Sequence, residues 1–102
     1  MIVGTLKVRL FVREARSLKD KRQVVRSILD RLRNQFNVSA TEVESLDDHR
    51  LVVIGIAAVG PETAIVQGVL QTITEALRSH PIAEFLGREM DVGSPGFLSG
   101  GR

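Results

Sequence analysis

The sequence predicts an α+β sandwich in which a four-stranded antiparallel sheet carries two helices on one face. Two amphipathic stretches with the 3.6-residue period of a helix each lie between stretches with the patterns of strands, which gives the order β-α-β-β-α-β. Right-handed crossovers in two successive β-α-β halves place both helices on the same side of the sheet, the ferredoxin-like arrangement. The length of 102 residues suits one such domain.

The first strand is expected over residues 2–12, where apolar side chains alternate with others. Its even-numbered apolar residues form the face toward the core. The opposite face carries Lys7, Arg9 and Phe11, which we expect on the side of the sheet that the helices leave open.

The first helix begins after a capping box formed by Ser17 and Asp20. Its apolar residues fall within an arc of about 100°, which is the stripe of an amphipathic helix, and it should end near Phe36 or Asn37. Lys21 is the exception, because its direction lies inside the apolar arc. We expect its side chain to bend around the helix end or to point at something bound.

The remaining elements are read from shorter signals. Residues 38–45 form a second strand with a bulge near Thr41-Glu42, and residues 50–59 form a third strand that is apolar on both faces. The second helix opens at 60–62, with Pro61 at its first position, and stops at His80-Pro81. Residues 83–92 form a fourth strand in which Leu86, Met90 and Val92 share a face. The domain is therefore expected over residues 1–92, with a flexible Gly/Ser-rich tail over 93–102.

Charge is distributed unevenly along the chain, although its formal net charge is only +2. Residues 1–36 hold ten Lys and Arg and three acids, whereas residues 37–102 hold four Lys and Arg and nine acids. Such a distribution creates a local positive field that the net charge conceals.

The positive charge gathers at the beginning of the first helix, where the helix dipole disfavours cations by roughly 0.3–1 kcal/mol each. Lys19, Arg22, Arg26 and Arg33 lie within about 60° of one another around the helix axis. We predict a phosphate-binding surface for nucleic acid, most simply RNA or a ribosomal particle. The expected members are Arg16, Ser17, Lys19, Lys21, Arg22, Arg26 and Arg33. The alternative is a solvated face in which Arg26 pairs with Asp30.

The open face of the sheet is the second candidate surface. An apolar third strand beside Phe11 is expected to be covered by a partner, either in a homodimer or with another protein, or to bind a small regulatory ligand. The expected residues are Lys7, Arg9, Phe11, Leu51 and Val53.

Other chemistries find little support in the sequence. The chain has no Cys, so it has neither a disulfide nor a thiolate metal site, and we expect a reducing cytoplasm. Asp47, Asp48 and His49 stand in one hairpin turn, where adjacent residues rarely converge on a metal. His80 is interpreted as a cation at the end of the second helix. We predict no catalytic residues, no cofactor, no metal and no membrane span.

Three segments resemble the YlxP-like bacterial proteins, a family of unknown function. They are Met1–Gly4, Ala15–Arg22 and Arg31–Val38, and Ser79-His80-Pro81 also fits. The likeness covers residues 1–92. It implies a ferredoxin-like fold, a cytoplasmic bacterial setting and a loose association with translation, and it supplies no catalytic residue.

Overall fold

A computed structural model describes residues 1–96 of the chain. Its elements follow the predicted order, and the pairing of all four strands is antiparallel, with the order β2-β3-β1-β4 across the sheet. The ferredoxin-like sandwich predicted from the sequence is confirmed. The elements are β1 (Ile2–Phe11), α1 (Leu18–Gln35), β2 (Ser39–Glu44), β3 (Leu51–Gly60), α2 (Thr63–Arg78) and β4 (Glu84–Gly93).

The core lies between one face of the sheet and the two helices. Leu6 pairs with Ile56 and Val8 pairs with Ile54, so the even-numbered residues of the two central strands form this face. Buried residues from both helices belong to the same apolar cluster, including Leu29 of α1 and Leu70 of α2. The alternation read from β1 therefore assigned its two faces correctly.

Helix α2 crosses close to β1 at Gly4. A Cβ atom at this position would stand 2.5 Å from Val66 Cγ1 and 2.7 Å from Leu70 Cδ1, both closer than real Cβ contacts allow. The absence of a side chain at Gly4 is what lets the two buried side chains of α2 reach the strand.

Irregularities in the two edge strands changed which residues face the core. The register of β2 shifts between Glu42 and Glu44, one position later than the bulge predicted near Thr41-Glu42. Val43 therefore lies on the open face, where its side chain covers Gly55. A second shift, between Arg9 and Leu10 in the pairing of β1 with β4, places Phe85 opposite Leu10. Leu86 is exposed as a result, and the prediction that it shares a face with Met90 and Val92 was wrong.

Two further boundaries differ from expectation. Helix α2 starts at Thr63 with Glu62 as its N-cap, so Pro61 precedes the cap and does not occupy the first helical position. Strand β4 extends through Gly93, which the sequence had placed in the tail. Most of the predicted tail, from 97 to 102, lies outside the described residues.

Candidate nucleic-acid interface

The start of α1 is fixed by reciprocal capping. The Ser17 hydroxyl accepts a hydrogen bond from the Asp20 backbone N–H at 3.2 Å, and the Asp20 carboxylate accepts from the Arg16 backbone N–H at 3.0 Å. The sequence predicted both partners, but the carboxylate reaches one residue further back than a standard capping box requires. Ser17 is thus a helix cap, with its oxygen directed at the helix itself.

Lys21 is completely buried, with 0% of its surface exposed. Its Nζ lies 2.9 Å from Glu42 Oε2 and donates to the backbone oxygens of Ser45 at 2.9 Å and Leu51 at 3.2 Å. The Leu46 oxygen lies at 3.5 Å. The assignment of Lys21 to an anion-binding surface was wrong, because the ammonium group is already enclosed by oxygen atoms.

The partner of Lys21 is also mostly buried, since Glu42 has 14% of its side chain exposed. Glu42 Oε2 accepts no hydrogen bond within residues 1–96, so the contact with Lys21 is an ion pair without hydrogen-bond alignment. A buried pair of this kind joins helix α1 to strand β2 and to the loop that follows it. The apolar direction of Lys21 on the helical wheel was the visible sign of this role.

Arg33 also has a structural use. Its Nη2 donates to the Ala40 carbonyl of β2 at 2.6 Å, and its Nη1 lies 3.9 Å from Asp30 Oδ1. Asp30 therefore approaches Arg33 and not Arg26, which the alternative interpretation had paired with it. Arg33 is half exposed but remains tied to the edge of the sheet.

The other predicted cations are free of acidic partners among the described residues. Arg16, Lys19, Arg22 and Arg26 are exposed, and no carboxylate of residues 1–96 lies within ion-pair distance of any of them. We call these four the helix cations. Three of them belong to the first half of α1, so their charges reinforce one another on one side of the molecule.

The loop between β2 and β3 brings one more arginine to the beginning of α1. Arg50 is exposed, and its Nε donates to the Ala15 carbonyl at 3.1 Å. Asp48 Oδ1 holds the turn by accepting from the backbone N–H groups of Leu51 at 2.7 Å and Arg50 at 2.8 Å. These two hydrogen bonds, Leu51 first, lower the pKa of Asp48 below its usual value.

Sequence reasoning missed Arg50 because it lies 35 residues from Ala15 and has no periodic relation to α1. The one available signal was the Asp-x-Arg spacing of 48–50, since an Asp in such a turn commonly accepts from the backbone two residues later. That signal predicts the turn but gives no information about its position beside α1.

Cations on the open face of the sheet are paired, in contrast to the helix cations. Lys7 Nζ lies 2.8 Å from Glu44 Oε2 and 3.7 Å from Glu89 Oε2, and Arg9 Nη1 lies 3.7 Å from Glu89 Oε1. The hydrogen bond to Glu44 raises the pKa of Lys7, and the same bond lowers the pKa of Glu44. The two cations and the two carboxylates at the centre of this face therefore neutralise one another.

The predicted sheet residues lie on the open face, but one of them is unavailable to a partner. Val53 pairs with Arg9 and is 1% exposed within its own chain, so it was wrong to expect it at an interface. Leu51 and Phe11 are paired with each other and partly exposed. Lys7 and Arg9, which were predicted with them, and the Glu89 that pairs with both make this face more polar than the third strand alone suggested.

A depression of about 690 Å³ crosses the open face over all four strands. Small side chains in the central strands form its floor, including those of Thr5 and Ala57. Ser39 and Thr41 line one side, and Asp91 lines the other. The volume falls within the range of roughly 300–1,000 Å³ that is common for small-molecule sites.

His80 serves as a backbone acceptor and not as a cation at the end of α2. Its Nδ1 accepts from the backbone N–H of Ala83 at 3.0 Å and of Ile82 at 3.1 Å, so this nitrogen carries no proton. Burial and the charge of Arg31 lower the pKa of His80. The expected interaction of a charged His80 with the helix dipole was therefore wrong.

Among the residues that the structure describes, no group of three His, Cys, Asp or Glu side chains has the arrangement of a metal site. Nor does any described helix combine the length and apolar character needed to cross a membrane.

Comparison with known proteins places the chain in a family. Residues 3–90 match the family model "Protein of unknown function (DUF503)". The chain belongs to the DUF503 family. It is also 34% identical over 83 residues to "Uncharacterized protein YlxP" of Bacillus subtilis (strain 168), a match that covers 81% of this chain and 90% of that protein. The resemblance drawn from residues 1–92 is thereby confirmed.

Solved structures with a similar fold include two of chlorite dismutase from Candidatus Nitrospira defluvii, one of them in complex with imidazole. Each has a TM-score of 0.50 and 13% sequence identity to this DUF503 chain. The match covers 97% of this chain but 43% of the chlorite dismutase chain, so this chain spans less than half the length of that structure. At this identity the likeness concerns the fold alone.

Proposed function

We propose that this protein is a non-enzymatic cytoplasmic binding protein that contacts RNA, as free RNA or within a ribosomal particle, through the outer surface of α1. The observation that carries the proposal is the contrast in pairing among its cations. Arg16, Lys19, Arg22 and Arg26 are exposed and have no carboxylate partner within residues 1–96, whereas Lys7 and Lys21 are both paired with carboxylates. Unpaired cations on one face are the electrostatic footprint of a nucleic-acid-binding protein.

The mode of binding follows from the side chains present. Arginine recognises phosphate oxygens through its planar fork of N–H donors, and lysine does so as a point charge. Sequence-specific recognition of bases by a sheet of this fold uses aromatic side chains as stacking platforms. The chain has four aromatic residues, all Phe, and Phe36 packs against the core, so we propose binding to the RNA backbone without strong sequence preference.

A salt series tests the proposal directly. Binding of a fluorescein-labelled single-stranded RNA is followed by fluorescence anisotropy at increasing KCl concentration. The logarithm of the binding constant should fall linearly with the logarithm of salt concentration, with a slope of about −0.7 for each phosphate contacted. A flat dependence, or binding of equal strength by Arg22→Gln/Arg26→Gln, contradicts the proposal.

Charge reversal at Lys21 is unsuitable as a test, because a glutamate there would face Glu42 in the protein interior. Arg88→Gln is the matched control for the α1 variants. Arg88 is exposed on the edge strand β4 and has no ion-pair partner among the described residues. Its substitution removes a comparable charge from a different part of the surface.

Association with ribosomal particles is tested by sedimentation of a lysate through a sucrose gradient at low salt. The protein should comigrate with ribosomal particles, and raised KCl should release it, because phosphate contacts are lost as counterions compete. Arg22→Gln/Arg26→Gln should remain at the top of the gradient. Comigration of this variant with the particles would assign the association to another surface.

The depression on the open sheet face supports a second candidate function, the binding of a small polar regulatory ligand. Its floor of small side chains and its rim of hydroxyl and carboxylate groups offer hydrogen-bond partners around a space of about 690 Å³. Thermal-shift screening against polar metabolites tests this candidate, with Ala57→Leu as the variant that fills the floor. A ligand that stabilises both forms equally binds elsewhere.

Homodimerisation through the same face is still a prediction. The mutually neutralised group of Glu44, Lys7, Arg9 and Glu89 leaves apolar contact mainly to Phe11, Leu51 and the exposed Val59. Sedimentation equilibrium at micromolar concentration should detect a species of twice the 11.2 kDa chain mass if this face pairs.

A further inference from the structure

The carbonyl and the N–H of the peptide between Ala15 and Arg16 are both hydrogen-bonded to side chains from elsewhere in the chain. Arg50 Nε donates to the Ala15 carbonyl at 3.1 Å, and the Asp20 carboxylate accepts from the Arg16 N–H at 3.0 Å. The carbonyl and the N–H of a trans peptide point in opposite directions. Asp20 is therefore on the far side of this peptide from Arg50. Arg50 binds the carbonyl of the peptide whose N–H belongs to Arg16.

The Arg50 guanidinium has N–H donors that form no hydrogen bond within residues 1–96. A guanidinium has five N–H groups, and the one on Nε is used on Ala15. Within residues 1–96, the Nη1 and Nη2 atoms of Arg50 have no hydrogen bond to a side chain or backbone oxygen and no ion pair. The side chain is exposed, so these nitrogens face a ligand or solvent.

The loop that carries Arg50 is held by contacts from α1, from the end of β1 and from within the loop itself. Val12 N–H donates to the Arg50 carbonyl at 2.8 Å, and Asp48 accepts from the Arg50 N–H. The buried ammonium of Lys21 binds the carbonyl oxygens of Ser45 and Leu51 at the two ends of the same loop. A binding side chain presented from a fixed backbone loses less conformational entropy when it contacts its ligand.

We propose that Arg50, with Arg16, forms a two-arginine site for an RNA phosphodiester at the start of α1. This inference rests on the proposed function, and it adds a residue from beyond the basic segment 1–36 to a surface that the sequence assigned wholly to that segment. Lys21 supports this site without facing the RNA, because its ammonium holds the loop carbonyls, and Glu42 pairs with that ammonium.

Arg50→Gln is the discriminating variant. Gln Nε2 occupies the same place along the side chain as Arg Nε, so it retains a donor for the Ala15 carbonyl, whereas the charge and both Nη groups are lost. The anisotropy titration described above should show about fivefold weaker RNA binding at about 0.1 M salt and a slope that is smaller by about 0.7. The urea midpoint should stay at the wild-type value.

A double-variant cycle tests whether the two arginines share one phosphate. Arg16→Gln/Arg50→Gln should weaken binding by less than the product of the two single effects, since residues that bind one group are coupled. Arg88→Gln is the control and should leave both affinity and slope unchanged. If Arg50→Gln disturbs the structure of the loop, the urea midpoint of this variant should fall below the wild-type value.

The outcomes distinguish failure of the two-arginine site from failure of the proposed RNA binding. Wild-type protein that does not bind RNA overturns the proposed function and this site together. If the wild type binds, Arg22→Gln/Arg26→Gln binds weakly and Arg50→Gln matches the wild type, the proposed function stands and the two-arginine site is wrong. Strictly multiplicative effects in the cycle overturn the shared phosphate.

Discussion

The outer surface of α1 and the open face of the sheet both carry cations, but they treat them differently. On the sheet, Lys7 lies between Glu44 on one neighbouring strand and Glu89 on the other. On the helix, Arg22 and Arg26 have no acid of the described chain within reach. Cross-strand neighbours come from separate segments and can supply opposite charge, whereas the neighbours of α1's first turns are mainly further cations.

Lys21 and Arg22 show the same contrast between adjacent residues. Lys21 is enclosed by Glu42 and three backbone oxygens, and Arg22 is exposed. The 100° turn between consecutive helical residues directs one side chain into the protein and the other outward. A run of basic residues is therefore not a functional unit, and each cation has to be assigned from its own surroundings.

The largest expected effect comes from removing the buried cation. Lys21→Met should lower the free energy of unfolding by about 3–5 kcal/mol, because Glu42 would become an uncompensated charge in the interior. Urea unfolding followed by circular dichroism measures the change. Lys21→Met/Glu42→Leu should recover most of the loss, since an apolar pair can replace a buried ion pair. Equal stability of Lys21→Met and Arg22→Met would show that burial does not distinguish the two positions.

The difference between the α1 surface and the open sheet face should also appear in RNA binding. Arg22→Gln/Arg26→Gln should bind RNA about 25-fold more weakly than wild type at about 0.1 M salt, as expected for two lost phosphate contacts. Lys7→Gln/Arg9→Gln removes the same charge from the sheet and should bind like the wild type. Equal losses in the two variants would mean that overall charge, and not the α1 surface, governs binding.

A smaller effect of opposite sign is expected for stability at the start of α1. Lys19 stands at the second helical position, so Lys19→Glu should raise the free energy of unfolding by about 0.3–1 kcal/mol at low salt. The same variant should bind RNA more weakly. The stability gain should shrink in 1 M NaCl, which screens charge. A loss of stability at low salt would remove the argument that these cations lie in an unfavourable place.

The smallest effect concerns the paired cations of the sheet. Lys7 lowers the pKa of Glu44 below its ordinary value of 4.5, so the folded protein releases this proton more readily than the unfolded chain. Stability from this pair is present above that ordinary pKa and is lost as the pH falls through the lowered one. Unfolding midpoints from pH 6 down to pH 3 should fall less steeply for Lys7→Gln than for wild type. Arg22→Gln should follow the wild-type curve.

The fold was readable because its signals are local. Alternation along β1, the apolar arc of α1 and the capping pair of Ser17 and Asp20 depend on residues close in sequence, and the structure contains all three. The errors fall where distant segments meet. The bulge opposite Leu10 exposed Leu86, and the backbone near Ile82 and Ala83 used His80 as an acceptor.

The amino-acid sequence by itself determined the order of the elements, the side of β1 that faces the core and the excess of positive charge at α1. Each of these follows from periodicity or from counting along a short segment. Only the tertiary structure decided that Lys21 is a buried anchor, that Arg33 is tied to β2 and that Arg50 binds the Ala15 carbonyl. The physical reason is that a charged group's surroundings are set by whichever segments fold against it, and Glu42, Ala40 and Ala15 reach these cations only through the assembled sheet and loops.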